Sequence, residues 1–460
     1  MAAAEPDGNT VRVLFDATRL LARGGLATPT GIDRVDLAYV AALSEAPGFE
    51  LQLVTFDVFG PTVLGPRAAA ELIEVVQKRW HAQPATDKPR AAFQQVREWL
   101  ESPPDTGRAV HPKPTRAHTT ESSGLQRAGS ALRKVFDSVR TARMAADETP
   151  SVYVNTSHGR LYRKAVSRWL EDAGIGGVFF IHDLIPIEFP EFNRPGEPVR
   201  HALRMATVAA HANQIIVNSE ATRIAVQRHL QEHGGQVPPI EVLHLGVEHR
   251  FSSSPNTAPL LPSVPYFVML STIEPRKNHQ LMLQVWRRLL ESGGGPVPRL
   301  LLIGRRGWDN QTVFNTLDRS ELLSRHVAEC SGLGDSDVAV LLRGARALLA
   351  PSFGEGFGLP VAESLALGTP VIASSIVAHR EVGGDCAEYL DPLDGLGWLQ
   401  AVGDYAAEPS PRREQQLRLV GGYKPPSWDD HLSSALRLIR AAAHRASCSS
   451  STLPSSRLVV

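Results

Sequence analysis

Short apolar, β-rich runs alternate with helical patterns along this chain, and the alternation breaks once and restarts, which constrains the fold more than any other feature of its 460 residues. Residues 11–16, 49–57, 152–156, 178–183, 215–219 and 240–245 read as a first set of strands. Helical patterns lie between them. The clearest is 33–43, where Val35, Leu37, Ala38, Val40, Ala41 and Leu43 are apolar and Thr30-x-x-Asp33 makes a capping-box start. Residues 246–265 are rich in Ser and Pro, and beyond them strands resume at 266–271, 300–304, 345–351 and 371–375, with helices near 280–291, 337–342 and 360–367. Strand and helix in alternation imply a mostly parallel sheet covered on both faces. Two such blocks predict two Rossmann-like, doubly wound α/β domains, and the length suits two lobes better than one core.

The densest chemical signal is Pro351-Ser-Phe-Gly-Glu355-Gly-Phe-Gly-Leu-Pro360-Val-Ala-Glu363, ending at Gly368-Thr-Pro370. A strand ends here, a turn containing Gly354, Gly356 and Gly358 follows, and a helix begins with Pro360 at its first position and stops before Gly368. Glycines let a backbone approach a ligand closely, and the N–H groups of a helix start point at an anion. Glu355 on the turn and Glu363 in the first helical turns can reach one crevice at the C-terminal edge of the sheet. Carboxylates suit sugar and ribose hydroxyls, because each oxygen accepts more than one charge-assisted hydrogen bond. A lone Gly-rich turn would be only a turn, and a lone Glu363 only a complement to the helix dipole. Two glutamates framing a complete strand, turn and helix point instead to a binding site.

The second signal, Ser271-Thr-Ile-Glu274-Pro275-Arg276-Lys277-Asn278-His279, follows the first strand of the second lobe. Two adjacent cations at a strand end are placed to face phosphates. Where a nucleoside diphosphate departs, negative charge grows on the leaving oxygen, and fixed cations stabilise that transition state more than the ground state.

These two segments resemble the donor-site signatures of family-4 retaining glycosyltransferases of GT-B fold (glycosyl transferases group 1), most of all bacterial mannosyltransferases of polysaccharide assembly. The resemblance is dense over 266–391, where it includes Leu301-Leu-Ile-Gly304-Arg305 and Thr369-Pro-Val-Ile-Ala-Ser. In the first lobe it is thinner, resting on Pro29-Thr-Gly31-Ile-Asp-Arg34 and Phe180-Ile-His182-Asp183-Leu. It implies two domains facing a central cleft, with the donor held by the second lobe and the acceptor by the first. It also implies that Glu355 lies near the transferred sugar, Glu363 on the ribose, Lys277 with Arg276 on the diphosphate, and Gly31 at a first-lobe loop touching the phosphates. Gly356, Phe357, Gly358 and Leu359 line the donor site, and His182 lies beside the donor sugar. Some relatives carry a further phosphate-binding Arg where this chain has Ser271, so that charge must come from Arg276 or Arg305 or be absent. The reaction implied is transfer of a hexose from a nucleoside diphosphate sugar, GDP-mannose first and UDP-sugars next, to a glycan or lipid-linked acceptor with retention, the departing diphosphate acting as base. A degenerate scaffold or regulator and a GT-B sugar-nucleotide epimerase are the alternatives.

Asp335-Ser-Asp337 could hold a metal beside a sugar nucleotide, but it opens an apolar helix pattern and reads as a cap. No metal and no cofactor beyond the donor is expected. Lys plus Arg and Asp plus Glu both total 48, which excludes a nucleic-acid binder with a global basic footprint. The three scattered cysteines, Cys330, Cys386 and Cys448, suit a reducing cytoplasm, and no signal peptide or membrane span is legible. Between 108 and 168, twelve Lys or Arg face four Asp or Glu. That region reads as a solvated basic helix at 125–144, or as a surface for anionic lipid, in peripheral contact with the inner membrane, or for a lipid-diphosphate acceptor. The expected domains are 1–262, with a mobile insertion at about 103–124; 263–425 for the donor; a helix at 426–445 returning to the first domain; and a disordered tail at 446–460.

Overall fold

The computed structural model describes residues 10–25, 29–57, 60–81, 87–103, 149–234, 236–252, 260, 262–293 and 296–450. The expected insertion beyond Pro103, the helix expected at 125–144, the basic residues up to 148 and the tail from 451 lie outside these residues.

The first lobe is built on seven strands in the order β3-β2-β1-β4-β5-β6-β7. They are β1 (Val11–Asp16), β2 (Phe49–Phe56), β3 (Pro61–Leu64), β4 (Ser151–Asn155), β5 (Gly177–Ile181), β6 (Ala212–Val217) and β7 (Ile240–Val242). All pairs are parallel except β2 with β3, which pair Leu53 with Leu64 and Phe56 with Pro61. A proline, which lacks the N–H a central ladder needs, is tolerated on such an edge. The second lobe has six parallel strands in the order β10-β9-β8-β11-β12-β13. These are β8 (Tyr266–Leu270), β9 (Arg299–Ile303), β10 (Val327–Cys330), β11 (Leu348–Ala350), β12 (Val371–Ser374) and β13 (Glu388–Leu390). Strands β1, β5 and β9 are buried at every residue, as expected of parallel strands covered on both faces.

In each sheet the strand order reverses direction once, between β1 and β4 and between β8 and β11. The carboxyl ends of strands beside such a switch leave a crevice where ligands bind. The residues following β1, β8 and β11 therefore face the space between the lobes.

Helices near both ends of the described chain cross between the lobes. Helix Trp428–Ser450 returns to the first lobe and packs on β4 and β6, burying Ile439, Ala442 and Ala443 completely. It runs to Ser450, so residues 446–450 continue a helix rather than begin the expected tail. Helix Asp87–Glu101, from the first half of the chain, packs near β10 of the second sheet. There Arg299 sits 4.9 Å from the ring of Trp99 and donates to the carbonyls of Trp99 and Ser102. No helix among the described residues is long and apolar enough to cross a membrane.

Candidate functional site

After β11 the chain turns through Pro351–Gly358 into helix Leu359–Ala366, with Gly358 as its N-cap at φ +104° and Pro360 at the second helical position. A left-handed cap is the conformation glycine adopts without steric cost. Gly356 is needed for a different reason: a Cβ there would lie 2.1 Å from the carbonyl oxygen of His182 in the first lobe. Ser219 Oγ donates to the Gly356 carbonyl at 2.5 Å, and Thr222 Oγ1 lies 3.2 Å from the same oxygen. The close approach at Gly356 is thus made to the opposite lobe.

Beside this turn, the loop after β8 passes through a short 3-10 turn, Pro275–Lys277. Its two cations converge on Glu355: Lys277 Nζ is 2.5 Å from Oε1 and Arg276 Nη1 is 2.7 Å from Oε2, while Ser352 Oγ donates to Oε1 at 2.7 Å. Arg276 also binds Glu274 Oε1 and the Gly354 carbonyl, so its guanidinium clamps the turn. Burial by itself would raise the Glu355 pKa, but Lys277 and Arg276 outweigh it and hold the carboxyl well below the carboxylate range. Burial, with Arg276 alongside, lowers the pKa of Lys277 against the pull of Glu355. Arg305, after β9, is exposed in the cleft, and among the described residues no carboxylate pairs with it.

Glu363 lies one turn into its helix and is only 6% exposed. Burial pushes its carboxyl up to about 7, with Asp335 and Glu248 adding to the rise and Arg34 opposing it. Arg34 belongs to first-lobe helix Gly31–Glu45 and reaches across the cleft, 3.7 Å from Glu363 and 2.7 Å from Asp335. No role was assigned to it from the sequence. Its neighbour Asp33 closes the capping box with Thr30 and binds Arg19 and Arg23 inside the lobe; one residue further round the helix, Arg34 faces outward. Asp335 is not a cap: Gly334 is, and Asp335, the first helical residue, pairs with Arg34 and Arg250. Among the described residues no group of three His, Cys, Asp or Glu is arranged to hold a metal.

Helix Gly31–Glu45 points its start at the cleft. The capping box takes the Asp33 N–H, and those of Gly31 and Ile32 remain at the mouth. On the other side of the cleft, the N–H on Nε2 of His182 donates to the Thr156 carbonyl at 2.7 Å, and the ring lies 4.6 Å from Phe180. Burial pushes its pKa down, so the imidazole is neutral.

One cleft of about 490 Å³ between the lobes brings together Gly31, His182, Arg276, Lys277, Arg305, Glu355, Gly356, Phe357, Gly358, Leu359 and Glu363. Arg34, Asp335 and Trp308 line it as well. It can present carboxylates to hydroxyls and cations with a helix start to an anion.

Comparison with known proteins agrees with this geometry. Residues 258–386 match the model of glycosyl transferases group 1. The serotype-specific mannosyltransferase WbdA of Escherichia coli is 28% identical over 248 residues, 51% of this chain and 30% of that protein. The O-antigen chain mannosyltransferase B of Escherichia coli is 34% identical over 129 residues, 28% of this chain and 33% of that one. The chain thus spans about a third of the length of these curated relatives. Among solved structures, HepE of Anabaena in complex with UDP superposes with a TM-score of 0.55 at 13% identity, covering 94% of this chain and 100% of that one. Sucrose-phosphate synthase from Thermosynechococcus elongatus gives 0.54 at 15% identity over 94% and 99%. The chain therefore carries a glycosyl transferases group 1 domain at 258–386 within a two-lobed GT-B fold.

Proposed function

We propose that this chain is a retaining hexosyltransferase that moves a sugar, mannose in the first instance, from a nucleoside diphosphate to a hydroxyl of a glycan or lipid-linked acceptor in bacterial surface polysaccharide assembly. The observation that carries the reading is the meeting of two carboxylates, half-buried Glu355 and buried Glu363, with Lys277 and Arg305 in one cleft between the sheets' switch points. The names of the E. coli relatives support mannose. In this reading Glu363 takes the ribose hydroxyls and Glu355 faces the transferred sugar, with neutral His182 beside it. Phe357 and Leu359, with the glycines around them, shape the donor wall. The diphosphate lies against Lys277, Arg305 and the start of helix Gly31–Glu45, whose positive end suits an anion. Arg276 acts by holding Glu355 and the turn. The departing diphosphate oxygen takes the proton of the incoming hydroxyl, and docking of the lobes excludes water that would otherwise hydrolyse the donor. Fixed cations and helix starts offset the leaving group's charge, so added metal or cofactor is not required.

The test is to offer GDP-mannose and a panel of UDP-sugars in excess EDTA. At a hundred times its dissociation constant, the true donor stabilises the protein by about 2.7 kcal/mol. With an acceptor it yields free nucleoside diphosphate and a product of the donor's anomeric configuration. A panel in which no sugar nucleotide stabilises the protein rejects the reading, and so does an inverted product. Release of an epimerised sugar without acceptor moves the chain to the epimerase class.

A further inference from the structure

The turn after β4 places its left-handed residues where no glycine stands. His158 sits at φ +58° and Arg160 at +60°, while Gly159 between them has no positive φ. Glycine occupies that region without strain, and other residues held there gather at functional sites, where their surroundings over-determine them. Here the surroundings are a polar network across β1, β4 and β5. Asn155, the last residue of β4, accepts the N–H groups of Ser157 and His158 at 3.3 and 2.9 Å, and its Nδ2 donates to Asp16 at the end of β1 at 2.9 Å. The turn so fixed grips His182, just beyond β5, at two points. The Thr156 carbonyl accepts the ring N–H of His182, and Nε2 of His158 accepts its main-chain N–H at 3.2 Å. The next carbonyl, that of Asp183, accepts from Nε2 of His201 at 3.1 Å, because Arg204 donates to the other nitrogen of that ring.

Resting on the transferase reading above, in which His182 lies beside the donor sugar, we propose that His158 is a positioning residue for donor recognition, its imidazole holding the His182 main chain so that the His182 ring meets the sugar in one orientation. The neutral His182 ring has a single N–H, which Thr156 takes, so Nδ1 is left as an acceptor whose aim is set by the main chain. Without the His158 ring, the main-chain N–H of this buried residue would lose its partner, and the chain would shift to find another. Desolvation, with His182, His201 and Arg204 alongside, takes the His158 pKa well below its ordinary value, so Nε2 keeps the lone pair that the contact needs. A residue wanted only for the turn would be glycine or asparagine. Reaching the neighbouring strand end with a distal nitrogen is a separate requirement, and histidine meets it.

The test compares two substitutions that differ by one methylene. His158→Gln puts an amide oxygen about where Nε2 stands, whereas the amide of His158→Asn stops short of the His182 N–H but suits the left-handed backbone better. Isothermal titration of the full chain follows the tightest binder among GDP-mannose and a panel of UDP-sugars, with its parent nucleoside diphosphate as control. His158→Asn weakens the sugar nucleotide tenfold or more and the nucleoside diphosphate less than twofold, while His158→Gln stays within threefold of wild type for both. In a His182→Ala background His158→Asn costs less than a further twofold, since a residue acting through His182 then has nothing to position. A residue serving only the turn gives the reverse order, with Asn tolerated and Gln not, and that result overturns the proposal. It is equally overturned if His158→Gln fails to hold the sugar nucleotide, if both ligands are lost alike, or if the tenfold loss persists in the His182→Ala background. Failure of every sugar nucleotide to bind the wild type would strike the transferase reading itself, a distinguishable result.

Discussion

If Glu363 takes the ribose hydroxyls as proposed, it ties nucleotide affinity to pH in a way that can be worked out from its surroundings. Its carboxyl is buried, pushed up to about 7, and has Arg34 at 3.7 Å as its opposing cation. A carboxylate accepts both ribose hydroxyls only when ionised, since the protonated group has lost an acceptor site to its own O–H. The ionised fraction falls from about nine-tenths at pH 8 to about one-tenth at pH 6, and the dissociation constant of a sugar nucleotide rises about tenfold over that span. A sugar nucleotide is the proper ligand, because its doubly esterified diphosphate has no terminal group titrating in this range. Isothermal titration at constant ionic strength reads the effect, and Glu363→Gln should abolish it. Stability supplies an independent check of opposite sense. A carboxyl whose folded pKa is raised contributes stability below its unfolded value, here 4.5, and loses it as pH rises through the folded value of about 7. By pH 8 the loss is about 3 kcal/mol, so Glu363→Gln raises the thermal midpoint at pH 8 and leaves it nearly unchanged at pH 4. A flat wild-type affinity profile between pH 6 and 8, or a slope that persists in Glu363→Gln, refutes the reasoning.

Lys277→Ala should lower turnover at saturating donor about a hundredfold while the protein stays folded, as read by nucleoside diphosphate release; an unchanged rate removes Lys277 from the leaving-group site. Glu355→Gln leaves Arg276 and Lys277 without the carboxylate they share, so it should cost about 3 kcal/mol of stability and lower the thermal midpoint at every pH from 6 to 8, opposite in sign to Glu363→Gln at pH 8. Gly356→Ala places a methyl 2.1 Å from the His182 carbonyl and should force the lobes apart, a change that small-angle scattering detects as a larger radius of gyration; unchanged scattering would show that the turn yields instead.

The sequence made the strand–helix rhythm legible because parallel strands buried on both faces leave long apolar runs, as in β1 and β5. It hid what depends on the partner across the gap. Pro61–Leu64 is too short to stand out and becomes a strand only by pairing antiparallel with β2. Helix Asp87–Glu101 reads as an ordinary amphipathic segment, and nothing local says that Trp99 meets Arg299 some 200 positions away. The site divides along the same line. Glu355, Glu363 and Lys277 sit in contiguous patterns with local geometry of their own, a strand end, a turn and a helix start. Arg34 and Gly356 take their meaning from the opposite lobe, through Asp335 and His182, and Asp335 passed for a cap because a helix start wants an acid whether or not that acid is occupied elsewhere.

The electrostatics of the cleft determine which groups can receive a diphosphate. Glu274, Arg276, Lys277 and Glu355 form a cluster of two acids and two bases linked at 2.5–2.7 Å, so together they offer an incoming anion almost no net charge. A diphosphate drawing on Lys277 must loosen its bond to Glu355, which leaves that carboxylate held by Arg276 and Ser352 and freer to face a sugar. The added negative charge must then be met from outside the cluster. Arg305 is the cleft cation without a carboxylate partner among the described residues, and the start of helix Gly31–Glu45 adds the partial charge of its macrodipole. On the proposed reading, Ser271, where some relatives carry an arginine, is compensated from the end of the neighbouring strand β9 rather than from the next residues of its own loop, because the nearer Arg276 is already committed to Glu274 and Glu355.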